Sequence, residues 1–503
     1  MNEKAISLLS VSQEAASTID ISEEFSLPDY VPEVRRVLCV MADALPESKY
    51  LQGNMLELGG SVTYSLIYTD DEGNLNALPL NSSYETKLAL PQDVHLTLVD
   101  AQVDSTTYKV TAPRKLTLKS RLKCRVTPIC KEQIEEEISS KSSADEIYLE
   151  RKPKTVNSMS LCVAEQPNVR LSDKLELDDG KEAKPIWCDA NIIIKEARAE
   201  SRRVSVRGEA VVKCLVESEG EVKVITKALP IAEEIEVEHL GDNQVARVVG
   251  RCVSLSISNE EADNSTQLFF DLVCELECQT MENKQIILLE DVYSTKNEMD
   301  VTYKKTPIYS LVKAGGSSFT LNEGIKRRGK EISSIIDTLV APTCEKTEIK
   351  NGKMIATGKL LVNVLGISEA GEGEGIEYLC ETYELPLKYE LELGGQISNG
   401  ISKCTFSTLG ASARLDKDMI YINCEIYPSY LVFNRADEEI VDRASIKRDK
   451  EIKKDQSCVR VYFPREDDTL WKIAKKYYTT VNKLTELNEI DNQSSSLPKS
   501  IIV

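Results

Sequence analysis

The chain has 503 residues, of which 41% are hydrophobic and 29% charged, and its formal net charge is −20. That length exceeds one domain, and the apolar content is enough for several cores. The acidic balance excludes a general nucleic-acid binder, which needs a basic footprint, and a surface that adheres throughout to anionic lipid.

Residues 1–17 carry no basic stretch followed by an apolar run, so no secretory signal is expected. No segment approaches the roughly 18 apolar residues of a membrane span. An internal repeat then organises the chain. It opens at Ile21-Ser22-Glu23-Glu24-Phe25, returns at Leu171-Ser172-Asp173-Lys174-Leu175, and survives weakly at Phe319-Thr320-Leu321-Asn322-Glu323. Gly60, Gly208 and Gly358 follow, at intervals of 148 and 150 residues. After each glycine the apolar residues alternate, as in Val62, Tyr64, Leu66 or Leu360, Val362, Val364. Period two predicts a half-buried strand. Turn-rich stretches at 70–74, 217–220 and 369–373 predict hairpins. The next anchor, Leu78-Pro79-Leu80, Leu229-Pro230-Ile231 and Leu385-Pro386-Leu387, places a proline at a strand start or sheet edge. Cys124, Cys274 and Cys424 close the units at intervals of 150 residues.

The fold expected is mainly β: three repeated antiparallel β modules, sandwich or barrel-like, then a small β-α-α-β module. The modules span 1–130, 165–285 and 315–433. A polar linker is expected over 131–164, which contains Glu135-Glu136-Glu137 and a serine-rich run. A second, charged one is expected over 434–456, as a solvated helix or linker.

The last module spans 457–503. A short strand, Val459 to Phe463, precedes an acidic turn and then Thr469-Leu470-Trp471-Lys472-Ile473-Ala474-Lys475-Lys476-Tyr477. Leu470, Ile473, Ala474 and Tyr477 fall on one helical face, with Asp468 or Thr469 as N-cap. Thr480 caps a second helix with Val481, Leu484 and Leu487 inward, and Leu497-Pro498 leads into a closing strand. Asp468-Thr469-Leu470-Trp471-Lys472-Ile473-Ala474, Thr480-Val481-Asn482-Lys483-Leu484, Leu487-Asn488 and Leu497-Pro498 resemble the LysM family. Asp467 and Lys499 stand where that family usually has glycine. The resemblance implies a groove for N-acetylglucosamine-containing glycan between the loops at 467–470 and 488–491. The candidate partner- or glycan-binding residues are Asp468, Thr469, Leu470, Trp471, Lys475, Asn488 and Ile490. Trp471 beside Lys472, Lys475 and Lys476 reads as an exposed protein-binding hot spot or, equally, as a side chain packed on the second helix.

Three β repeats ahead of such a module, with the phrases Ile21 to Pro28 and Pro32-Glu33-Val34-Arg35-Arg36-Val37-Leu38, resemble SPOCS modules of spore-coat morphogenetic proteins, in the SipL-type arrangement. This resemblance implies a mother-cell cytoplasmic protein at the forespore surface. Its implied partners are the SpoIVA-type coat ATPase and other coat proteins.

Constellations for catalysis are absent from the sequence, and no catalytic residue, cofactor or metal site is expected. Gly371, Gly373 and Gly375 alternate with glutamates, which repel phosphate. The only histidines, His95 and His239, lack a nucleophile pattern. The fourteen cysteines contain no CxxC and sit largely in apolar strands, as small hydrophobes of a reducing cytoplasm without disulfides. Two functions follow: a non-enzymatic scaffold for coat assembly, or a glycan-binding protein anchored on peptidoglycan or cortex by its LysM.

Overall fold

The computed structural model describes residues 4–139, 148–163, 167–176, 183–238, 241–262, 265–328, 332–369, 376–395, 397, 399–453, 459–490 and 497–503. His239, the run Gly371–Gly375 and Cys458 lie outside the described residues.

Three seven-stranded modules follow one another. The first comprises β1 (Lys4–Val11), β2 (Ala15–Ser26), β3 (Arg36–Gln52), β4 (Met55–Thr69), β5 (Leu75–Ala89), β6 (Val94–Ala112) and β7 (Lys115–Ser139). The second comprises β8 (Leu149–Val163), β9 (Asn168–Glu176), β10 (Lys184–Glu200), β11 (Arg203–Ser218), β12 (Glu221–Glu236), β13 (Val245–Ala262) and β14 (Ser265–Ser294). The third comprises β15 (Asn297–Gly316), β16 (Phe319–Lys326), β17 (Ser334–Lys350), β18 (Lys353–Glu369), β19 (Ile376–Glu392), β20 (Gly400–Asp416) and β21 (Met419–Glu451).

In each module the third to fifth strands meander into a three-stranded antiparallel sheet. The long seventh strand makes the second sheet. Its first half pairs with the sixth strand on one side and the second on the other, and its second half pairs with the first strand. The two sheets face each other over one apolar core per module. Cys124, Cys274 and Cys424 are fully buried in the seventh strands.

Gly60, Gly208 and Gly358 have a common cause. Each lies where the preceding strand bulges, between Pro46 and Ser48, Ile194 and Glu196, or Cys344 and Lys346. The bulge drives the carbonyl oxygen of Leu45, Ile193 or Thr343 into the space a Cβ would occupy. The proline anchors lie on edge strands, where a missing N–H costs no ladder bond. Their register is not uniform. Pro230 faces Glu209 and Pro386 faces Lys359, each one residue past its glycine, but Pro79 faces Ser65, five past Gly60. The displacement of the first anchor is an even number of residues, so the same side chains still face the core.

Neither expected linker is a linker in the described residues. β7 runs to Ser139 and β8 occupies 149–163, while β21 continues to Glu451. Within 434–451, Ile440, Val441 and Ala444 are buried. The intervening charges point outward into pairs such as Arg435–Asp437 (3.0 Å) and Lys304–Asp442 (3.1 Å). A high charge count thus conceals a sparse apolar stripe.

That stripe joins the modules. Leu8 and Ile134 of the first, Leu288 of the second, and Ile308 and Ile440 of the third form one buried cluster. Ile129, Met281 and Phe433 meet in a neighbouring one. Arg443–Ser445 of β21 also pair in parallel with Glu137–Ser139 of β7. Elsewhere Leu38, Trp187 and Leu339, one from each three-stranded sheet system, share another junction. Asp43 on β3 and Asp189 on β10 are exposed side chains close enough to interact. Burial raises both carboxyls above their ordinary range, and Asp189 raises Asp43 further.

Candidate functional site

The C-terminal module contains β22 (Val461–Tyr462), α1 (Leu470–Lys476), α2 (Val481–Asn488) and β23 (Ile501–Ile502), and the two strands pair antiparallel. Thr469 and Thr480 are the N-caps, accepting from the amides of Lys472 (3.2 Å) and Lys483 (3.0 Å). Ile473, Ala474, Leu484 and Ile501 form the core, with Leu470, Tyr477, Val481, Ile490 and Leu497 packed around them. Leu487 was expected inward but is 50% exposed. The inner face of α2 is instead Val481, Leu484, Thr485 and Asn488, because the last turn needs the Asn488 amide. That amide donates to Leu484 O (2.9 Å) and Ile502 O (2.8 Å), and accepts from Ile502 N (2.7 Å), tying α2 to β23.

Asp468 is not the cap. Its Oδ2 accepts from Tyr462 Oη (2.7 Å) and Arg465 N (2.8 Å), and these bonds hold its carboxyl below the ordinary range, the Arg465 amide most strongly. Asp468, Thr469 and Asn488 therefore shape the loops, and Leu470 and Ile490 pack inside them. Among the described residues, the exposed side chains at the rim include Phe463, Arg465, Glu466, Asp467, Thr469, Glu489 and Lys499, with Phe463 71% exposed.

Trp471 and Lys475 do something else. Neither is an open hot spot, and Trp471 is half-buried against the module core that includes Leu484 of α2. Both bind Asp291 on β14, where a register shift between Leu289 and Asp291 interrupts the pairing with β8. Trp471 Nε1 donates to Asp291 Oδ2 (2.7 Å), and Lys475 Nζ donates to Oδ1 (2.7 Å) and Oδ2 (2.9 Å). Tyr303 on β15 donates to Oδ1 as well (2.6 Å). The Trp471 ring meets Tyr293 edge-on, with centroids 4.9 Å apart, and Tyr293 Oη donates to Thr479 O (2.7 Å). Burial would raise the Asp291 carboxyl, but the hydrogen bonds from Lys475, Trp471 and Tyr303 outweigh it and hold it below the ordinary range. The other two lysines of the helix are also engaged. Lys472 Nζ donates to Asp467 O (2.7 Å), and Lys476 lies over the Tyr462 ring at 4.6 Å.

Sequence reasoning missed Asp291, Tyr293 and Tyr303. Nothing in the run Glu290-Asp291-Val292-Tyr293 distinguishes it from any other strand end. His95 is exposed on β6, apart from this module in the chain and in the fold. Among the described residues, no group of three or more His, Cys, Asp or Glu side chains is placed to hold a metal ion. No described helix is long and apolar enough to cross a membrane.

No curated protein and no solved structure matches the chain. Residues 465–498, covering the turn before α1 through Pro498, match the LysM domain, so this mainly β protein of repeated antiparallel sheets ends in a LysM domain.

Proposed function

We propose that the protein is a non-enzymatic interaction scaffold, in which three interlocked β modules form a platform that holds one LysM domain in a fixed orientation. The observation that carries this reading is the Asp291 latch. A glycan hook on a tether needs no docking surface, whereas this domain spends its Trp and a lysine on one. What stays exposed is the groove rim and the apolar alternation Val459, Val461 and Phe463 along its first strand. An exposed apolar stripe beside polar loops suits a protein partner. On the SPOCS resemblance of the β repeats, this reading puts the scaffold in the mother-cell cytoplasm at the forespore surface. There it would link the SpoIVA-type ATPase of the coat basement layer to other coat proteins.

A second reading is binding of N-acetylglucosamine-containing glycan, such as peptidoglycan or cortex, and it rests on the LysM match over 465–498. The test is binding of the full-length protein to the purified ATPase and to chitin oligomers, with Phe463→Ala and Lys499→Ala as rim variants. The scaffold reading expects ATPase binding that the rim variants weaken at least tenfold, or about 1.4 kcal/mol. Tight sugar binding without ATPase binding replaces it with the second reading.

A further inference from the structure

Between the first and third modules lies a cavity of ≈ 790 Å³, walled by Asp100 and Arg125 on one side and by Cys344, Lys403 and Cys404 on the other. Cys344 on β17 and Cys404 on β20 belong to opposite sheets of the third module, and both line this cavity and pack in one core cluster. Arg125 reaches across from the first module. Its Nη2 donates to Cys344 O (2.5 Å) and its Nη1 to Glu345 O (3.0 Å), while Asp100 braces it at 2.5 Å. The pair is peculiar to the third repeat. Opposite the bulge glycine, where this module has Cys344, the first has Pro46 and the second Ile194. A thiol at this place is therefore not what the module needs in order to fold.

We propose that Cys344 and Cys404 form a peroxide-reactive dithiol that closes to an inter-sheet disulfide across the third module. A disulfide joining the two sheets of a sandwich is a stable arrangement. Cys344 is the attacking group: Cys404 favours its thiolate, burial opposes it, and the Arg125 guanidinium held on the Cys344 carbonyl adds its positive charge. Its sulfur attacks one oxygen of hydrogen peroxide, so an S–O bond forms and the O–O bond breaks. The departing hydroxide takes up the proton that Cys344 lost and becomes water. Cys404 sulfur then displaces the sulfenic hydroxyl, which leaves as a second water with the Cys404 proton. Two thiols lose two electrons, and one peroxide is reduced to two waters.

A second cysteine pair in one cluster, Cys39 and Cys380, provides an internal control. It lies in the apolar junction between modules, and the Cys39 hydrogen bond and burial push the Cys380 thiol well up. The test treats the full-length protein with graded hydrogen peroxide, alkylates the remaining thiols after denaturation, and maps the peptides. Cys344 and Cys404 should lose alkylation together, before Cys39 and Cys380, as a linked peptide that dithiothreitol releases. Cys404→Ser should stop the reaction at a Cys344 sulfenic acid that dimedone traps, and Cys344→Ser should leave Cys404 alkylatable. The proposal fails if Cys344 and Cys404 stay alkylatable at a peroxide dose that oxidises Cys39 and Cys380. It also fails if both oxidise without becoming linked. The unsubstituted chain gives both of these outcomes, so a variant that misfolds does not rescue the proposal.

Discussion

Asp291→Ala should release the LysM domain from the platform without unfolding either. The substitution removes the acceptor for Trp471 Nε1 and for Lys475 Nζ, both at 2.7 Å. A hydrogen bond to a charged group contributes about 1.5–3 kcal/mol. The Lys475 side chain is 37% exposed, so its share falls near the value for exposed pairs, about 0.2–1 kcal/mol. The Tyr303 bond stays out of the sum, because both its partners belong to the platform. The docking equilibrium should therefore weaken by about 2–4 kcal/mol, or roughly 30- to 1000-fold. Trp187 and Trp471 are the only tryptophans. Trp187 Nε1 is buried without a hydrogen-bond partner, so Trp187→Phe removes an unsatisfied donor and leaves Trp471 as sole reporter. Acrylamide quenching of Trp471 should rise sharply in Asp291→Ala, and its emission should shift to the red. Acid should act similarly. The docked carboxyl sits below its ordinary value, so its contribution is complete above the undocked value, about 3.9, and is lost as pH falls through the docked one. Quenching in Asp291→Ala equal to that of the parent at neutral pH would refute the latch.

Further expectations concern the platform. Gly208→Ala and Gly358→Ala should each lower stability by about 1–3 kcal/mol in chemical denaturation, because a Cβ meets a backbone carbonyl. Gly410→Ala, with nothing near its Cβ position, should stay within about 0.5 kcal/mol. Ile440→Ala, fully buried in the three-module cluster, should cost about 2–5 kcal/mol, where a solvated linker would show almost nothing. Asp43→Asn should raise the thermal midpoint at neutral pH. Its carboxyl is raised in the folded state, so the native protein holds more protons than the unfolded one and stability falls as pH climbs above about 3.9. The gain from the substitution should vanish below that pH.

The repeat was legible because its causes are local. A bulge that leaves no room for a Cβ marks Gly60, Gly208 and Gly358, and alternation marks the strand after each. The helices of the LysM domain were legible for the same reason, since caps and an i, i+3, i+4 stripe are short-range signals. What failed were inferences from residue counts and from pairs far apart. Seven charges of each sign over 434–456 read as solvated, because charge outweighs the three buried side chains Ile440, Val441 and Ala444 in any composition window. The partner of Trp471 lies 180 residues earlier, and such a contact leaves no period in the chain. Asp468, Thr469 and Asn488 were found as loop residues, but their oxygens and amides serve the loops themselves.

The run Asp291-Val292-Tyr293 shows why the latch and the platform are one mechanical unit. Successive side chains of a strand point to opposite faces. Val292 is fully buried against Val441 and Ala444 of β21, in the junction of the second and third modules. Its neighbours on either side face the LysM domain, where Tyr293 enters the core beside Ile473 and Asp291 takes the Trp471 and Lys475 bonds. Any shift of β14 against β21 therefore moves the docking surface. Val292→Ala removes contact at the junction worth about 1.5–3 kcal/mol of side-chain burial. It should lower the denaturation midpoint of the platform and also raise Trp471 quenching. Asp291→Ala should raise quenching while leaving the platform midpoint nearly unchanged. If Val292→Ala destabilises the platform while Trp471 remains as protected as in the parent, the strand does not transmit between its two faces. The LysM domain would then be carried by the platform without being oriented by the way its modules join.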